Sequence, residues 1–274
     1  MSSAEQFAGE EHSKIYAKFR RDTPMLMAEK IVSYLKEKYD GPMDLAIDVG
    51  CGSGQGTVIL APFFKKVHGS DIAESQIKAA NETRARPNVT YSFEPSEKLD
   101  FPDGSAQLVT AGSALHWFNI DAFFPECRRV LCNNGVFAVY IYYAIKPLVD
   151  DPEQAAKIDE LYESHSSMTL KYHAVQAKIA FNRYKDVNFP FEEVHRVPDV
   201  RDIYDGHLDD VVGYIQSWSG FQNFLREQPE KAKEYVATFE RKLKAIAKAC
   251  NLSETEPIKL YRDFLLIICR KTEK

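Results

Sequence analysis

The chain has no CxxC pair among its five cysteines, Cys51, Cys127, Cys132, Cys250 and Cys269, which argues against a structural zinc site. Their odd number and irregular spacing fit reduced thiols in a cytosolic protein rather than a disulfide framework. His165, His173, His195 and His207 are scattered without metal-ligand spacing, so no metal is expected. There is no long run of lysine or arginine, and 35 basic against 40 acidic residues leave a net charge of −5. A protein that clamps nucleic-acid phosphates carries a basic excess instead, so no nucleic-acid partner is expected. The longest strongly apolar run, Phe264 to Cys269, is far too short to cross a bilayer. The opening residues, Met1 to Gln6, lack the basic and apolar regions of a signal peptide. Repeats, low-complexity tracts and flexible linkers are absent as well. The expectation is a cytoplasmic protein with no membrane partner.

What is present is ordinary globular material: 274 residues, 45% hydrophobic and 27% charged, enough for one large domain or a domain with an added cap. Pro24 opens a helix whose apolar residues Leu26, Met27, Ile31, Tyr34 and Leu35 recur at helical spacing until Gly41-Pro42. The run Leu45 to Val49 predicts a buried strand entering a glycine cluster, and Val58 to Phe64 the helix after it, shortened or kinked by Pro62. Strands are predicted over Lys66 to Ser70, Val89 to Phe93, Leu108 to Ala111 and Val136 to Ile141, with helices over Ser75 to Arg84 and Asp121 to Leu131 between them. Five strands alternating with helices predict an α/β fold, a doubly wound parallel sheet with helices on both faces. Past Pro147 the pattern turns helical and aromatic. Helices are expected from Glu153 to about Lys185, from Asp209 to Arg226 with interruptions at Gly213 and Gly220, and from Glu230 to Cys250. The run Ile258 to Ile268 predicts one or two strands rejoining the sheet. The division expected is a cofactor-binding core over 1–146, a mainly helical substrate cap over 147–229, and a helix with strands over 230–274 that completes the core.

The most informative stretch is Asp48-Val49-Gly50-Cys51-Gly52-Ser53-Gly54-Gln55-Gly56. A strand running straight into closely spaced glycines lets a ligand approach the backbone, and in an open parallel sheet ligands bind beyond the carboxyl ends of the strands. A nicotinamide enzyme requires G-x-G-x-x-G here, yet the position that should hold its third glycine is Gln55. Asp71, 21 residues after Gly50 at the end of the second predicted strand, can accept hydrogen bonds from both hydroxyls of an adenosine ribose. A glycine-rich turn with an aspartate capping the next helix is the plainer alternative.

Taken together, these residues resemble a class I S-adenosylmethionine-dependent methyltransferase (methyltransferase type 11), of the small-molecule group that includes trans-aconitate methyltransferases. Asp48 with Gly50, Gly52 and Gly54 matches the family's first motif, and Asp71 its ribose acid. Ser96-Glu97-Lys98-Leu99 resembles its adenine-side loop, Ala111 to Phe118 its post-strand-four segment with an A-x-HWF ending, and Arg129-Val130-Leu131 its approach to strand five. The resemblance covers roughly residues 12 to 141 well and the C-terminal strands weakly. Pro95, Gln107 and the single Gly135 depart from the pattern. The Asn-Pro-Pro-Tyr type motif of amino-methylating enzymes is absent after strand four.

The resemblance implies a Rossmann-like, mainly parallel seven-stranded sheet with a helical cap. It also implies S-adenosylmethionine as cofactor and a small-molecule acceptor, with carboxylate esterification as its first suggestion. Cofactor contacts then fall to Asp48, Gly50, Gly52, Gly54, Asp71, Ser96, Glu97 and Ala111, with Tyr16 and Arg20 at the methionine end. His116 and Trp117, following strand four, are the candidate catalytic pair. The histidine would serve as base or hydrogen-bond donor, and the indole as an apolar wall or a π face near the sulfonium; both residues merely packing the loop is the alternative. Tyr142, Tyr143, Trp218 and Ser219 are acceptor-side candidates, against simple aromatic packing in the cap. O- or N-methylation of another metabolite and non-catalytic cofactor binding are the competing functions.

Overall fold

Five parallel strands set the frame. In the computed structural model, which describes Ile15 and residues 18–272, β1 (Leu45–Val49) lies between β2 (Lys66–Asp71) and β4 (Ala106–Gly112), parallel to both. β3 (Val89–Phe93) extends the sheet beyond β2, and β5 (Leu131–Tyr142) beyond β4, again in parallel. The order β3-β2-β1-β4-β5 reverses direction between β1 and β4. That places their carboxyl ends at the position where open α/β sheets bind ligands.

Two compact units divide the chain. The first comprises 22–142, 179–200 and the residues from Phe264 onward. Its core gathers Ala46, Val67, Leu108, Val136 and Ala138 of the sheet with Met27, Ile31 and Leu35 of helix α1 (Met25–Lys36). The second half of β8 (Ile258–Arg270) closes this sheet antiparallel to β5, from Val136 opposite Arg270 to Tyr142 opposite Phe264. Arg270, fully buried, donates to the carbonyls of Tyr34, Leu35 and Asn134. A cation there adds a second donor to carbonyls near the C-terminal end of α1, which also accept the amides of Glu37 to Tyr39, and complements its dipole. Helix α2 (Glu74–Thr83) follows β2, and α3 (Ile120–Val130) buries Phe123, Phe124, Cys127 and Val130 on one stripe.

The second unit takes residues up to Arg21, 143–178 and 201–263. Here β6 (Lys146–Pro147) pairs with the first half of β8. Helix α4 (Pro152–Thr169) starts on Asp151, whose carboxylate accepts from the Glu153 amide at 2.8 Å. The short α5 (Ala177–Phe181) leads out of this unit, and α6 (Leu208–Gln216), α7 (Ser219–Glu227) and α8 (Pro229–Ala249) complete it. Helix α8 packs on α4, α6 and α7, so in this structure it belongs with those helices. No described helix is long and apolar enough to cross a membrane.

Several elements differ from expectation. The helix predicted over Val58 to Phe64 is a single 3₁₀ turn, Val58–Leu60. Pro62 has no amide to bond back to Val58, and i→i+3 bonds from Leu60 to Thr57 and from Phe63 to Leu60 take over. Strand β7 (Glu193–Gly206), paired with β8, lies where helical cap was expected. It is largely exposed, so it carries no hydrophobic alternation, and it is fastened by ion pairs: Arg201 with Asp263, Arg262 with Asp202 and Lys259 with Asp205. The sheet therefore has eight strands among the described residues, not seven. Gly213 and Gly220 interrupt no helix. A Cβ on either would meet the ring of Phe19 at 2.3 Å or of His173 at 2.4 Å, respectively, and the chain breaks between them at Ser217-Trp218.

Candidate active site

The site is built where β1 and β4 end. Asp48, 1% exposed, accepts the Thr57 hydroxyl and the Thr110 hydroxyl, each at 2.7 Å. It thus ties β1 to β4 and to the far end of the glycine loop. Burial pushes its carboxyl up to about 6 against the pull of the two hydroxyls. Sequence reasoning places Asp48 among cofactor contacts; in the structure it lies beneath the loop, with both oxygens engaged by threonines. Thr57 and Thr110 were not identified from the sequence, because isolated threonines give no pattern.

Gly50, Gly52 and Gly54 all have positive φ (67°, 55° and 88°). At Gly50 a Cβ would lie 2.6 Å from the Ala114 methyl and 3.0 Å from the Phe118 ring. The absent side chain is what lets the loop after β1 touch the loop after β4. At Gly54 the obstacle is the Tyr91 hydroxyl, 2.5 Å away. Gly52 differs: a Cβ there would meet nothing nearer than Gln76 Oε1 at 3.8 Å, so the middle of the loop faces open space.

Asp71 accepts the Gly52 amide on one oxygen and the Ala73 amide on the other, both at 2.9 Å. Burial raises its carboxyl, and the backbone amides lower it. Each carboxylate oxygen retains a lone pair, suited to two neighbouring hydroxyls. Ile72 beside it is 44% exposed. The open cradle at Gly52, the two-oxygen acceptor and the apolar shelf fit an adenosine ribose. Cys51 between the glycines is buried, which pushes its thiol up, with Asp48 and Asp71 adding to the effect; it is a poor nucleophile.

The loop from Ser96 to Phe101 is clamped from α3. Glu126 Oε1 accepts the Leu99 amide at 2.7 Å, and Arg129 donates to the Leu99 and Phe101 carbonyls at 2.9 and 2.8 Å. Glu97 accepts the Asn119 amide at 3.1 Å, while Ser96 is buried. Gln107, where the family pattern has aspartate, accepts the amides of Asp44 and Leu45 at 2.9 and 2.8 Å, joining the starts of β4 and β1. Ala111 is fully buried on β4 opposite Val139, leaving only its backbone to a ligand.

After β4 the chain turns through Ser113 (φ 54°) into a 3₁₀ turn, Leu115–Trp117. It carries His116, 8% exposed, with Trp117 at 4.9 Å between ring centroids. His116 Nδ1 lies 3.0 Å from the hydroxyl of Tyr184, a residue that sequence reasoning missed. Tyr142 ends β5 and packs on Phe264 at 5.0 Å.

The remaining predicted residues belong to the other unit, except Tyr16, which lies outside the described residues. Arg20 stacks over the Tyr214 ring at 4.5 Å and donates to Ser217 Oγ at 2.9 Å. Trp218 is buried in an aromatic cluster with His165 at 4.8 Å, His173 and Tyr214. Ser219 opens α7, and Tyr143 begins this unit's second segment. Burial depresses His165 to about 3, with His173 contributing, and His173 to about 4. Among the described residues no group of three or more His, Cys, Asp or Glu could hold a metal ion.

Residues 47–139 match the methyltransferase domain family. A protein named as a methyltransferase in Dictyostelium discoideum is 34% identical over 218 residues, spanning 78% of this chain and 77% of that protein. One named as an S-adenosylmethionine-dependent methyltransferase in Saccharomyces cerevisiae is 23% identical over 94% of this chain and 95% of its own length. A malonyl-[acyl-carrier protein] O-methyltransferase of Bacillus cereus is 33% identical over 96 residues, 34% of this chain and 35% of that protein. Among solved structures, one named as a type II methyltransferase from Anaeromyxobacter dehalogenans is 27% identical with a TM-score of 0.75, covering 93% of this chain and 99% of that one. With the glycine loop, Asp71 beside it and the strand order, these likenesses establish that the chain belongs to the class I S-adenosylmethionine-dependent methyltransferases.

Proposed function

We propose that this methyltransferase modifies a small-molecule acceptor, and that the acceptor oxygen is a carboxylate. The observation that carries the reading is the meeting of the two loops at Gly50 and Ala114, which puts the His116 turn next to the cofactor cradle. S-adenosylmethionine, when bound, would supply an electrophilic methyl group on a sulfonium sulfur, with the sulfur leaving as the neutral thioether of S-adenosylhomocysteine as the acceptor oxygen takes the methyl. The chain's own task is to align the acceptor and exclude water. Asp71 holds the ribose hydroxyls, the Gly50 to Gly54 backbone admits the cofactor, and the loop at Ser96 and Glu97 borders the adenine. Tyr16 and Arg20 are assigned to the methionine end.

A carboxylate needs no base, so His116 acts by hydrogen bonding to the acceptor, with Trp117 as an apolar wall. Tyr142, Tyr143, Trp218 and Ser219 are proposed to select the acceptor. The O-methyltransferase among the relatives supports an oxygen acceptor, and the acidic balance of the chain disfavours nucleic acid. The test is mass spectrometry of a metabolite extract incubated with the enzyme and methyl-labelled S-adenosylmethionine. A labelled product cleaved by mild alkali is the expected methyl ester. An alkali-stable product would overturn the carboxylate assignment, and an exclusively macromolecular product the small-molecule one.

A further inference from the structure

Tyr184 is among the largest fully buried side chains in the protein, at 1% exposure, and its backbone is unusual. It has φ +53°, directly after Arg183 at +56°. Two consecutive bulky residues in the left-handed region are uncommon and persist only where the surroundings hold them. Here the surroundings are identifiable. The guanidinium of Arg196 on β7 donates to both carbonyls of the pair, to Arg183 at 3.1 Å and to Tyr184 at 2.8 Å. From the other side, the Tyr184 amide donates to the Ile179 carbonyl at 3.0 Å and the Arg183 amide to Ala180 at 2.8 Å. Four hydrogen bonds thus fix a left-handed turn just past α5, and its product is one phenol whose oxygen stands 3.0 Å from His116 Nδ1.

Resting on the reading of His116 given above, we propose that Tyr184 is a positioning residue for methyl transfer. Its hydroxyl donates to His116 Nδ1 and thereby keeps the imidazole proton on Nε2, where it serves as a donor to the acceptor oxygen. The phenol is a better proton donor than a neutral imidazole N–H, and the imidazole nitrogen a better acceptor than a phenolic oxygen, so the O–H···N arrangement is favoured. The consequence is chemical. An imidazole held as the Nε2–H tautomer cannot take a proton through Nε2, so it suits an acceptor that arrives already anionic. Arg196 secures the turn that presents the phenol.

Nitrogen-15 spectra of the histidine rings test this without any acceptor. In the wild-type protein the His116 ring is expected as a single Nε2–H tautomer. In Tyr184→Phe it should become a mixture, at a melting temperature close to wild type. A wild-type Nδ1–H tautomer, or spectra unchanged by the substitution, overturns the proposal. Kinetics with methyl-labelled cofactor and the acceptor whose methylated product is alkali-labile then separate the two claims. Tyr184→Phe should lower kcat about 10- to 100-fold with cofactor affinity unchanged, below the ~10²–10⁴ contribution of a group that itself transfers a proton, as befits a residue acting through another. Adding it to His116→Ala should cost nothing further. Wild-type turnover in His116→Ala would overturn the reading of His116. Loss in His116→Ala with full turnover in Tyr184→Phe would overturn the role of Tyr184 alone.

Discussion

Asp48 precedes Thr57 by nine residues, and its Oδ2 accepts the threonine hydroxyl at 2.7 Å, closing the glycine loop from below. Because burial raises this carboxyl to about 6 from 3.8, the folded state favours its protonated form. Its contribution to stability is complete below about pH 4 and is lost as pH rises through about 6, by ~3 kcal/mol at most. Asp48→Asn removes the titration. Denaturant unfolding at pH 4 and 7.5 should therefore show the variant gaining on wild type at the higher pH. An equal difference at both would refute the assignment.

Asp71→Ala should weaken cofactor binding by about 1.5–3 kcal/mol, as loss of a charged acceptor does. Calorimetry with S-adenosylhomocysteine measures this directly, and unchanged affinity would remove Asp71 from the ribose site.

His165 and His173 give the opposite pH sign. Their folded values, about 3 and about 4, lie below the ordinary 6.5. The stability they contribute is present above about pH 6.5 and is lost as pH falls toward those values, each unit being worth about 1.4 kcal/mol. His165→Phe should flatten the acid limb of a melting-temperature profile between pH 6.5 and 4. If the limb keeps its slope, His165 is not its cause.

Arg270 caps α1 from within the core, with its Nε 3.4 Å from Glu193. Arg270→Ala should cost about 2–5 kcal/mol by leaving a cavity where a fully buried long side chain stood. Arg270→Lys should recover less than half, since an ammonium cannot reproduce the guanidinium fork. Equal stability of the lysine variant and wild type in urea unfolding would contradict this.

The parallel half of the sheet was readable because β1, β4 and β5 are buried on both faces and appear as apolar runs. The glycine loop was readable because spacing alone encodes it. β7 was not: its pairing rests on charges such as Arg201 and Asp202 whose partners lie about 60 residues away. Tyr184 was equally hidden, since its role depends on a left-handed turn and a distant guanidinium, neither of which leaves a local signature. The motif marked the position of Asp48 but not its depth beneath the loop, where Thr57 and Thr110 engage both oxygens.

The antiparallel seam between β5 and β8 joins Tyr142 to Phe264 and Val136 to Arg270. On a ribosome, β5 therefore emerges more than a hundred residues before its neighbour. At about 5–20 residues per second the wait is on the order of 6–25 s. Through that interval one margin of β5, including Val139 and Ile141, has no strand to pair with, the kind of open edge that recruits other chains. Only the arrival of Phe264 to Arg270 closes that margin.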